Sequence, residues 1–326
     1  MKRNIAVVAG GYSSEVVVSL RSAQGIVSFL DKERYNVFVV VLKKDEWYVL
    51  KDDERVTDVD KDDFSFTPEN DKKVKFDFAY ITIHGTPGED GRLQGYFEML
   101  GIPYSSCGVL TSAITFNKYT CNKFLSTYGV KVAKSIRLFE EQTIDTDKAV
   151  AELGLPLFVK PNDGGSSFGV SKVKEPGQLQ QAIKKAFDEG KEVVLESFIK
   201  GTEVTCGGYK TKDKTVIFPV TEVVTENEFF DYDAKYNGQV QEITPARISD
   251  ELTKKIQNLT TSIYGFLDTK GLVRIDYIIP EDGDPFLLEI NTTPGMTPTS
   301  FIPQQVRAAG LDIKDVLTDI IENEFK

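Results

Sequence analysis

Residues 272–296, from Leu272 to Met296, read LVRIDYIIPEDGDPFLLEINTTPGM. Two apolar runs flank Glu281-Asp282-Gly283-Asp284, and Asp-Gly between such runs is a strong local signal for a two-residue hairpin turn. With Asp282 and Gly283 as the turn residues, Asp276 falls opposite Glu289 and Arg274 opposite Asn291. Side chains alternate along a strand, so these four share one face. The other face then carries Ile275, Tyr277, Ile279, Phe286, Leu288 and Ile290. A polar face on an isolated hairpin is ordinarily just solvated. Two directly opposed carboxylates repel each other, however, and a cation between them is the alternative. Two carboxylates and an amide are oxygen donors that suit Mg²⁺, which commonly bridges protein carboxylates to substrate phosphates.

The 326 residues, 40% hydrophobic and 27% charged, suit a folded protein of two or three domains. A net charge of −11 argues against nucleic-acid binding but not against a small anion held by local lysines and backbone amides. The opening MKRNIAVVAGG is too short an apolar run for a signal-peptide core, and no stretch of about 18 apolar residues occurs. No membrane association and a cytoplasmic location are expected. Cys107, Cys121 and Cys206 show no Cys-x-x-Cys spacing and read as reduced thiols.

Upstream, Asn4 to Ala9 ends at Gly10-Gly11 and leads into a helical pattern through Val16, Leu20, Ala23 and Val27, the opening of a βαβ unit. Strands follow at Tyr35 to Leu42 and Phe76 to Ile83, then a helix from Leu93 to Leu100 and a short strand from Ile102 to Tyr104. The alternation predicts a doubly wound parallel sheet with ligands at the carboxyl ends of its strands. Gly11, Glu15, His84 and Gly85 would lie at that edge. Residues between Lys51 and Lys75 read as surface strand and loop. Gly10-Gly11 lacks the Gly-x-Gly-x-x-Gly spacing, so nicotinamide chemistry is disfavoured. Glu15 has an alternative role at the positive end of a helix dipole, and His84, the one histidine, could be an ordinary hydrogen-bonded loop residue.

Thr111 to Tyr128 has helical spacing and includes Lys118. A different unit follows, with strands at Leu157 to Lys160, Gly169 to Val173 and Glu192 to Glu196 and a helix from Gln178 to Phe187. Its loop Lys160-Pro161-Asn162-Asp163-Gly164-Gly165-Ser166-Ser167-Phe168-Gly169 joins two strands, unlike a Walker A loop. Such a flap can close backbone N–H groups over phosphate, with Lys160 as a point charge; a plain flexible hairpin is the other reading. Glu196 and Glu203 could take the donors of an adenine and a ribose. The long polar and aromatic segment Thr225 to Glu242 reads as a lid. A helix from Asp250 to Tyr264 precedes the hairpin, and Ile302 to Ile321 is a partly helical tail.

Four ordered motifs resemble the D-alanine:D-alanine ligase family of the ATP-grasp superfamily over nearly the whole chain. They are Gly10-Gly11-Tyr12-Ser13-Ser14-Glu15 with Val18-Ser19; His84-Gly85-x-x-Gly88-Glu89-Asp90-Gly91-x-Leu93-Gln94-Gly95; Lys160-Pro161 through Gly169; and Arg274-x-Asp276 through Glu289-x-Asn291-Thr292-x-Pro294-Gly295-Met296-Thr297. The resemblance implies an α/β N-terminal domain over residues 1–112 followed by a two-lobed ATP-grasp fold, with a central subdomain over 113–204 and a C-terminal one over 205–326. It implies ATP-dependent joining of two D-alanine molecules through a D-alanyl phosphate, for peptidoglycan precursors, by a homodimer. Lys118 and Lys160 would bind ATP phosphates, and Glu196 and Glu203 the adenine and ribose. Asp276, Glu289 and Asn291 would hold two Mg²⁺ ions, with Mn²⁺ as a substitute. Glu15 would hold the ammonium of the first D-alanine beside His84, with Ser166 and Tyr236 linked to Glu15 across the closed site and Lys235 at the transferred phosphate. Arg274 and the Gly295 backbone would face the oxyanion, and Ser300 and Phe301 the second D-alanine. Ser197 and Phe301 stand where members of the family often carry Lys and Leu. Tyr236 is like the members that form dipeptides rather than D-alanyl-D-lactate. Another ATP-grasp carboxylate-amine ligase is the alternative enzyme; a non-catalytic ATP-binding module would be expected to lack a metal ligand or Arg274, and both are present.

Overall fold

A computed structural model describes residues 2–13, 15–51, 54–69, 72–165, 168–225, 240–281 and 283–326. The N-terminal part comprises β1 (Arg3–Gly10), α1 (Val16–Phe29), β2 (Tyr35–Leu42), β3 (Trp47–Lys51), β4 (Glu54–Asp60), β5 (Ser65–Phe66), β6 (Val74–Lys75), β7 (Phe78–Ile81), α2 (Arg92–Leu100) and α3 (Val109–Phe116). Its sheet runs β6-β5-β4-β3-β2-β1-β7. The expected parallel pairing holds for β2, β1 and β7; the segment from Lys51 to Lys75 extends the sheet as an antiparallel meander. The strand expected at Ile102 to Tyr104 reduces to one parallel bridge between Ala79 and Tyr104. β1 is apolar throughout because both faces are covered. Ala6 and Val8 face Leu93 and Phe97 of α2, while Ile5, Val7 and Ala9 face α1.

The helix expected over 111–128 is two, α3 and α4 (Lys118–Ser126), broken at Asn117, whose side chain accepts from Thr120 N and caps α4. The central sheet then forms from β8 (Ser135–Phe139), α5 (Thr146–Leu153), β9 (Leu157–Pro161), β10 (Ser171–Val173), α6 (Leu179–Phe187) and β11 (Glu192–Ser197), in the order β10-β9-β11-β8. Leu157, Val159, Val193 and Leu195 pack against α5 and α6 in a core of their own. Alternation puts Phe158, Lys160, Val194 and Glu196 on the opposite face.

The C-terminal part holds β12 (Thr202–Lys210), β13 (Thr215–Ile217), β14 (Thr221–Thr225), β15 (Val240–Ile243), α7 (Asp250–Phe266), β16 (Gly271–Ile279), β17 (Phe286–Asn291), α8 (Phe301–Ala308) and α9 (Ile313–Asn323). Its sheet runs β15-β14-β12-β16-β17, with β13 also paired to β12. Ile256 and Ile263 of α7 pack on Val273, Ile275 and Tyr277. The opposite side is continuous with the N-terminal core, where Tyr209, Phe218, Leu272, Ile302 and Val306 join Ile5, Val7 and Ile26. α1 lies directly on the chain at Met296. A Cβ at Gly25 would stand 2.0 Å from Met296 O, and Met296 N donates to Ser22 Oγ at 3.3 Å.

The hairpin of β16 and β17 has the expected register at the polar face, with Arg274 opposite Asn291 and Asp276 opposite Glu289. Nearer the tip the pairing shifts by one, to Tyr277 with Leu287 and Ile278 with Phe286, so Leu288 is a bulged residue. The two-residue turn is therefore corrected to a longer loop after Pro280, whose carbonyl accepts from Gly283 N at 3.0 Å; Asp282 lies outside the described residues. The bulge also exchanges the apolar set. Leu287, not Leu288 or Phe286, enters the core beside Tyr277 and Ile290.

Candidate active site

The chain leaves β1 through Gly10 (φ 100°) and Gly11 (φ 106°), a backbone conformation that glycine reaches without strain. This turn sets Ser13 and Glu15 at the head of α1. Ser13 Oγ donates to His84 O at 3.0 Å and accepts from Glu15 N at 3.3 Å, tying the two loops together. His84 is buried, with Nε2 3.4 Å from Ser22 Oγ. Burial, and then the charge of Arg274, push its pKa down to about 4, so the imidazole is neutral at pH 7. Glu89 Oε2 accepts from Gly85 N at 2.7 Å. Burial and the neighbouring Glu15 hold the Glu89 carboxyl up at about 7, against the pull of Gly85 N–H, Thr293 and Lys118.

The central unit brings its lysines from the other side. Lys118 begins α4, where its N donates to Asn162 O at 3.0 Å and its Nζ donates to Gly164 O. Lys160 on β9 and Glu196 on β11 occupy diagonal positions on one face and pair at 2.5 Å; Asn122 Nδ2 donates to Glu196 at 3.2 Å. Glu203 stands on β12 between Val223 and Ile278. The flap leaves β9 and reaches α1: a Cβ on Gly165 would lie 2.8 Å and 2.9 Å from the two carboxylate oxygens of Glu15. Gly165→Ala must displace Glu15 or lift the flap, so we expect turnover to fall roughly 10- to 100-fold with the fold unchanged. Steady-state kinetics beside a thermal melt would check this, and undiminished turnover would refute it.

Asp276 accepts from Arg274 Nε at 2.9 Å and Nη2 at 2.8 Å, and from Asn291 Nδ2 at 3.1 Å. Burial works against the charge of Arg274, but Asp276, Glu289 and Glu242 together hold its pKa above the ordinary value. Glu289 Oε2 lies 4.0 Å from Lys118 Nζ, which joins the hairpin face to the flap. Among the described residues no cluster of three or more His, Cys, Asp and Glu side chains is placed to hold a metal. Two carboxylates and an amide oxygen nevertheless fit a hard cation whose remaining ligands are water and phosphate oxygens. Beyond the hairpin, Ser300 stands at the N-cap position of α8, and its Oγ accepts not from the helix but from Thr297 N, at 3.0 Å. The Arg274 guanidinium lies 5.1 Å from the Phe301 ring centroid.

A cavity of about 660 Å³ collects Glu15, His84, Lys118, Arg274, Glu289, Asn291, Gly295, Ser300 and Phe301. Lys160, Glu196, Glu203 and Asp276 do not line it. Ser166, Lys235, Tyr236 and the interior of the expected lid lie outside the described residues. The lining residues to which sequence reasoning assigned no role include Arg21, Glu89, Glu242 and Gln304. Glu89 had a signal, since it sits within the quoted His84 motif, but the repulsion from Glu15 that raises its pKa acts between two loops distant in the chain.

With a folded pKa of about 7 against 4.5 for an ordinary glutamate, Glu89 favours the folded state below pH 4.5, and that contribution is lost as pH rises toward 7. Glu89→Gln should therefore gain stability relative to the ligand-free parent between pH 5 and pH 8, by roughly 1–3 kcal/mol. Denaturant midpoints at the two pH values test it, and a constant difference would refute the assignment.

Three sheets around a cavity with a glycine flap at one end and a carboxylate hairpin at the other are the architecture of ATP-grasp enzymes. Residues 4–107 match the family described as D-ala D-ala ligase N-terminus, and residues 124–322 match D-ala D-ala ligase C-terminus. A D-alanine–D-alanine ligase of Parabacteroides distasonis is 68% identical over 326 residues, covering 100% of this chain and 98% of that one. Another, from Bacteroides fragilis, is 64% identical over 325 residues with 100% of each chain covered. The chain belongs to the D-alanine:D-alanine ligase family. Among solved structures, it superposes on D-alanyl-alanine synthetase A of Vibrio cholerae with a TM-score of 0.89 at 29% identity, covering 100% and 99% of the two chains. On the VanG D-Ala:D-Ser ligase of Enterococcus faecalis the TM-score is 0.87 at 32% identity, covering 99% and 100%. No helix among the described residues is long and apolar enough to cross a membrane.

Proposed function

We propose that this chain activates the carboxylate of one D-alanine with ATP and condenses it with a second, giving D-alanyl-D-alanine, ADP and phosphate. The observation that supports this reading is the close approach of Gly165, in the glycine-rich loop after β9, to the Glu15 carboxylate, both lining one cavity. A carboxylate is a poor acyl donor; phosphorylation gives it a leaving group. Glu15 holds the ammonium of the first D-alanine, with neutral His84 beside it, so its carboxylate points at the γ-phosphate. Lys118 and Lys160 hold the phosphates, and Glu196 and Glu203 the adenine and ribose. Asp276, Glu289 and Asn291 hold Mg²⁺, two ions in the full complex with Mn²⁺ as a substitute. When bound, the metal neutralises charge on the phosphates in transfer. The amine of the second D-alanine, its carboxylate at Ser300 and Phe301, then attacks the carbonyl carbon of the D-alanyl phosphate. Arg274 and the Gly295 N–H face the tetrahedral oxyanion, and the bond to phosphate breaks.

Ser166, Lys235 and Tyr236 complete the closed site in this proposal, and the segment from 225 to 242 excludes water from the acyl phosphate. The proposal divides the chain into residues 1–112, 113–204 and 205–326, and places it in the cytoplasm as a homodimer. Exposed Met99 on α2 and Leu110 on α3 support a buried partner surface there. ADP release measured with D-alanine, D-serine and D-lactate as second substrates tests the reaction. ADP release that requires D-alanine and Mg²⁺, with D-alanyl-D-alanine as product, is expected; rapid turnover with another amino acid and none with D-alanine would overturn the assignment.

A further inference from the structure

Among the described residues, four carboxylates line the cavity: Glu15, Glu89, Glu242 and Glu289. Glu15 and Glu89 lie with the loop at Gly85, at the end proposed for the first amino acid. Glu289 belongs to the hairpin face. Glu242 is different. It stands on β15, opposite Val223 of β14, and its Oε2 accepts from Gln304 Nε2 of α8, the helix whose first residues are proposed to meet the second amino acid. Gln304 Nε2 also donates to Thr299 O at 2.7 Å, and the next residue, buried Gln305, fixes α8 to β12 and β14 through Gly207 N at 3.0 Å and Thr221 Oγ1 at 3.0 Å. The carboxylate is thus held by a helix that is itself locked to the sheet.

A second amino acid enters as a zwitterion, and its ammonium has no lone pair with which to attack. We propose that Glu242 receives the ammonium of the second amino acid and accepts its proton, with Gln304 as the positioning residue. This rests on the ligase reading given above. One proton passes from the ammonium nitrogen to Glu242. The freed lone pair forms the C–N bond to give the tetrahedral oxyanion, which collapses as the C–O bond to phosphate breaks, and the second N–H proton leaves with the phosphate. Burial raises the affinity of Glu242 for a proton, while Gln304 and Arg274 oppose that. Among the described residues, Arg274 is the charged group acting on it. Glu222 and Arg247 pair with each other at 2.9 Å on the opposite face of β14 and β15, and Arg307, further along α8, is exposed.

Hydroxylamine separates this role from a structural one, because its nitrogen is already neutral at pH 7 and needs no proton acceptor. In Glu242→Gln, formation of D-alanyl-D-alanine should fall roughly 100-fold, while formation of D-alanyl hydroxamate from D-alanine, ATP and hydroxylamine stays near the parent rate. Gln304→Leu removes a donor that stabilises the carboxylate, so the acid limb of the dipeptide rate should move to higher pH with hydroxamate formation unaffected. Equal losses of dipeptide and hydroxamate in Glu242→Gln, or no loss of either, would overturn the assignment of Glu242. An unmoved acid limb in Gln304→Leu would remove Gln304 from it. Absence of D-alanine-dependent ADP release by the parent would overturn the ligase reading and this inference with it.

Discussion

Glu289→Gln is expected to lower turnover by roughly 1,000-fold, the loss of several kcal/mol of charge stabilisation at the phosphates, while leaving the fold as stable as before. The stability half of the statement comes from the geometry. Glu289 is only partly buried, and Lys118, whose Nζ lies 4.0 Å from it, also donates to Gly164 O. Asp276→Asn is a poorer test of the same idea. Asp276 takes both arms of the Arg274 fork, and removing its charge leaves a largely buried guanidinium without its hydrogen-bonded carboxylate, at up to about 3–5 kcal/mol. Loss of activity in that variant would mix metal, oxyanion and folding effects. The measurement is turnover with a magnesium titration beside a denaturation curve for each variant; near-parental rates in Glu289→Gln at all magnesium concentrations would remove it from the metal face.

Arg274→Lys should cost about 100- to 1,000-fold in turnover. Lysine keeps a positive charge beside Asp276, so the stability penalty stays small. It cannot reproduce two parallel N–H bonds to that carboxylate while also presenting a donor to a developing oxyanion. The loss should fall on kcat rather than on the KM of either amino acid, because the oxyanion exists only beyond the ground state. A variant with parental kcat and raised KM would place Arg274 in substrate binding instead.

The polar face of the hairpin was legible from side-chain alternation, and the register counted from Asp-Gly holds there although the turn itself does not. The tip was not, and the prolines explain why. Pro285 has no N–H to offer the ladder, so pairing resumes only at Phe286 and the Asp-Gly signal gives way to a longer loop. Asp284 fastens that loop by accepting from Lys131 at 2.6 Å and from Lys255. The bulge at Leu288 absorbs the discrepancy, which is how the site register comes out as read while the apolar set beside it does not. The β1 turn and the loop after β9 could be read as loops for a similar reason: their glycines are local signals. Glu242 and Gln304 could not, since they meet across 62 residues of chain. The Lys160 and Glu196 pair belongs with these, because a diagonal across two strands is visible only once β9 and β11 are known to be neighbours.

The separate core of the central sheet bears on how nucleotide enters and leaves. The N-terminal and C-terminal sheets share one apolar interior through Ile5, Tyr209, Leu272 and Ile302, and parting them would expose it. The unit from β8 to β11 keeps its apolar contacts to itself and is held at its margins by backbone bonds, among them Leu287 N to Lys131 O at 2.9 Å and Lys118 N to Asn162 O at 3.0 Å. Swinging it outward costs a few hydrogen bonds that water can replace and little buried apolar area. Opening is therefore a low-energy excursion of one unit against a rigid remainder, and the rate of ADP escape should respond to substitutions along that hinge more than to changes in either core.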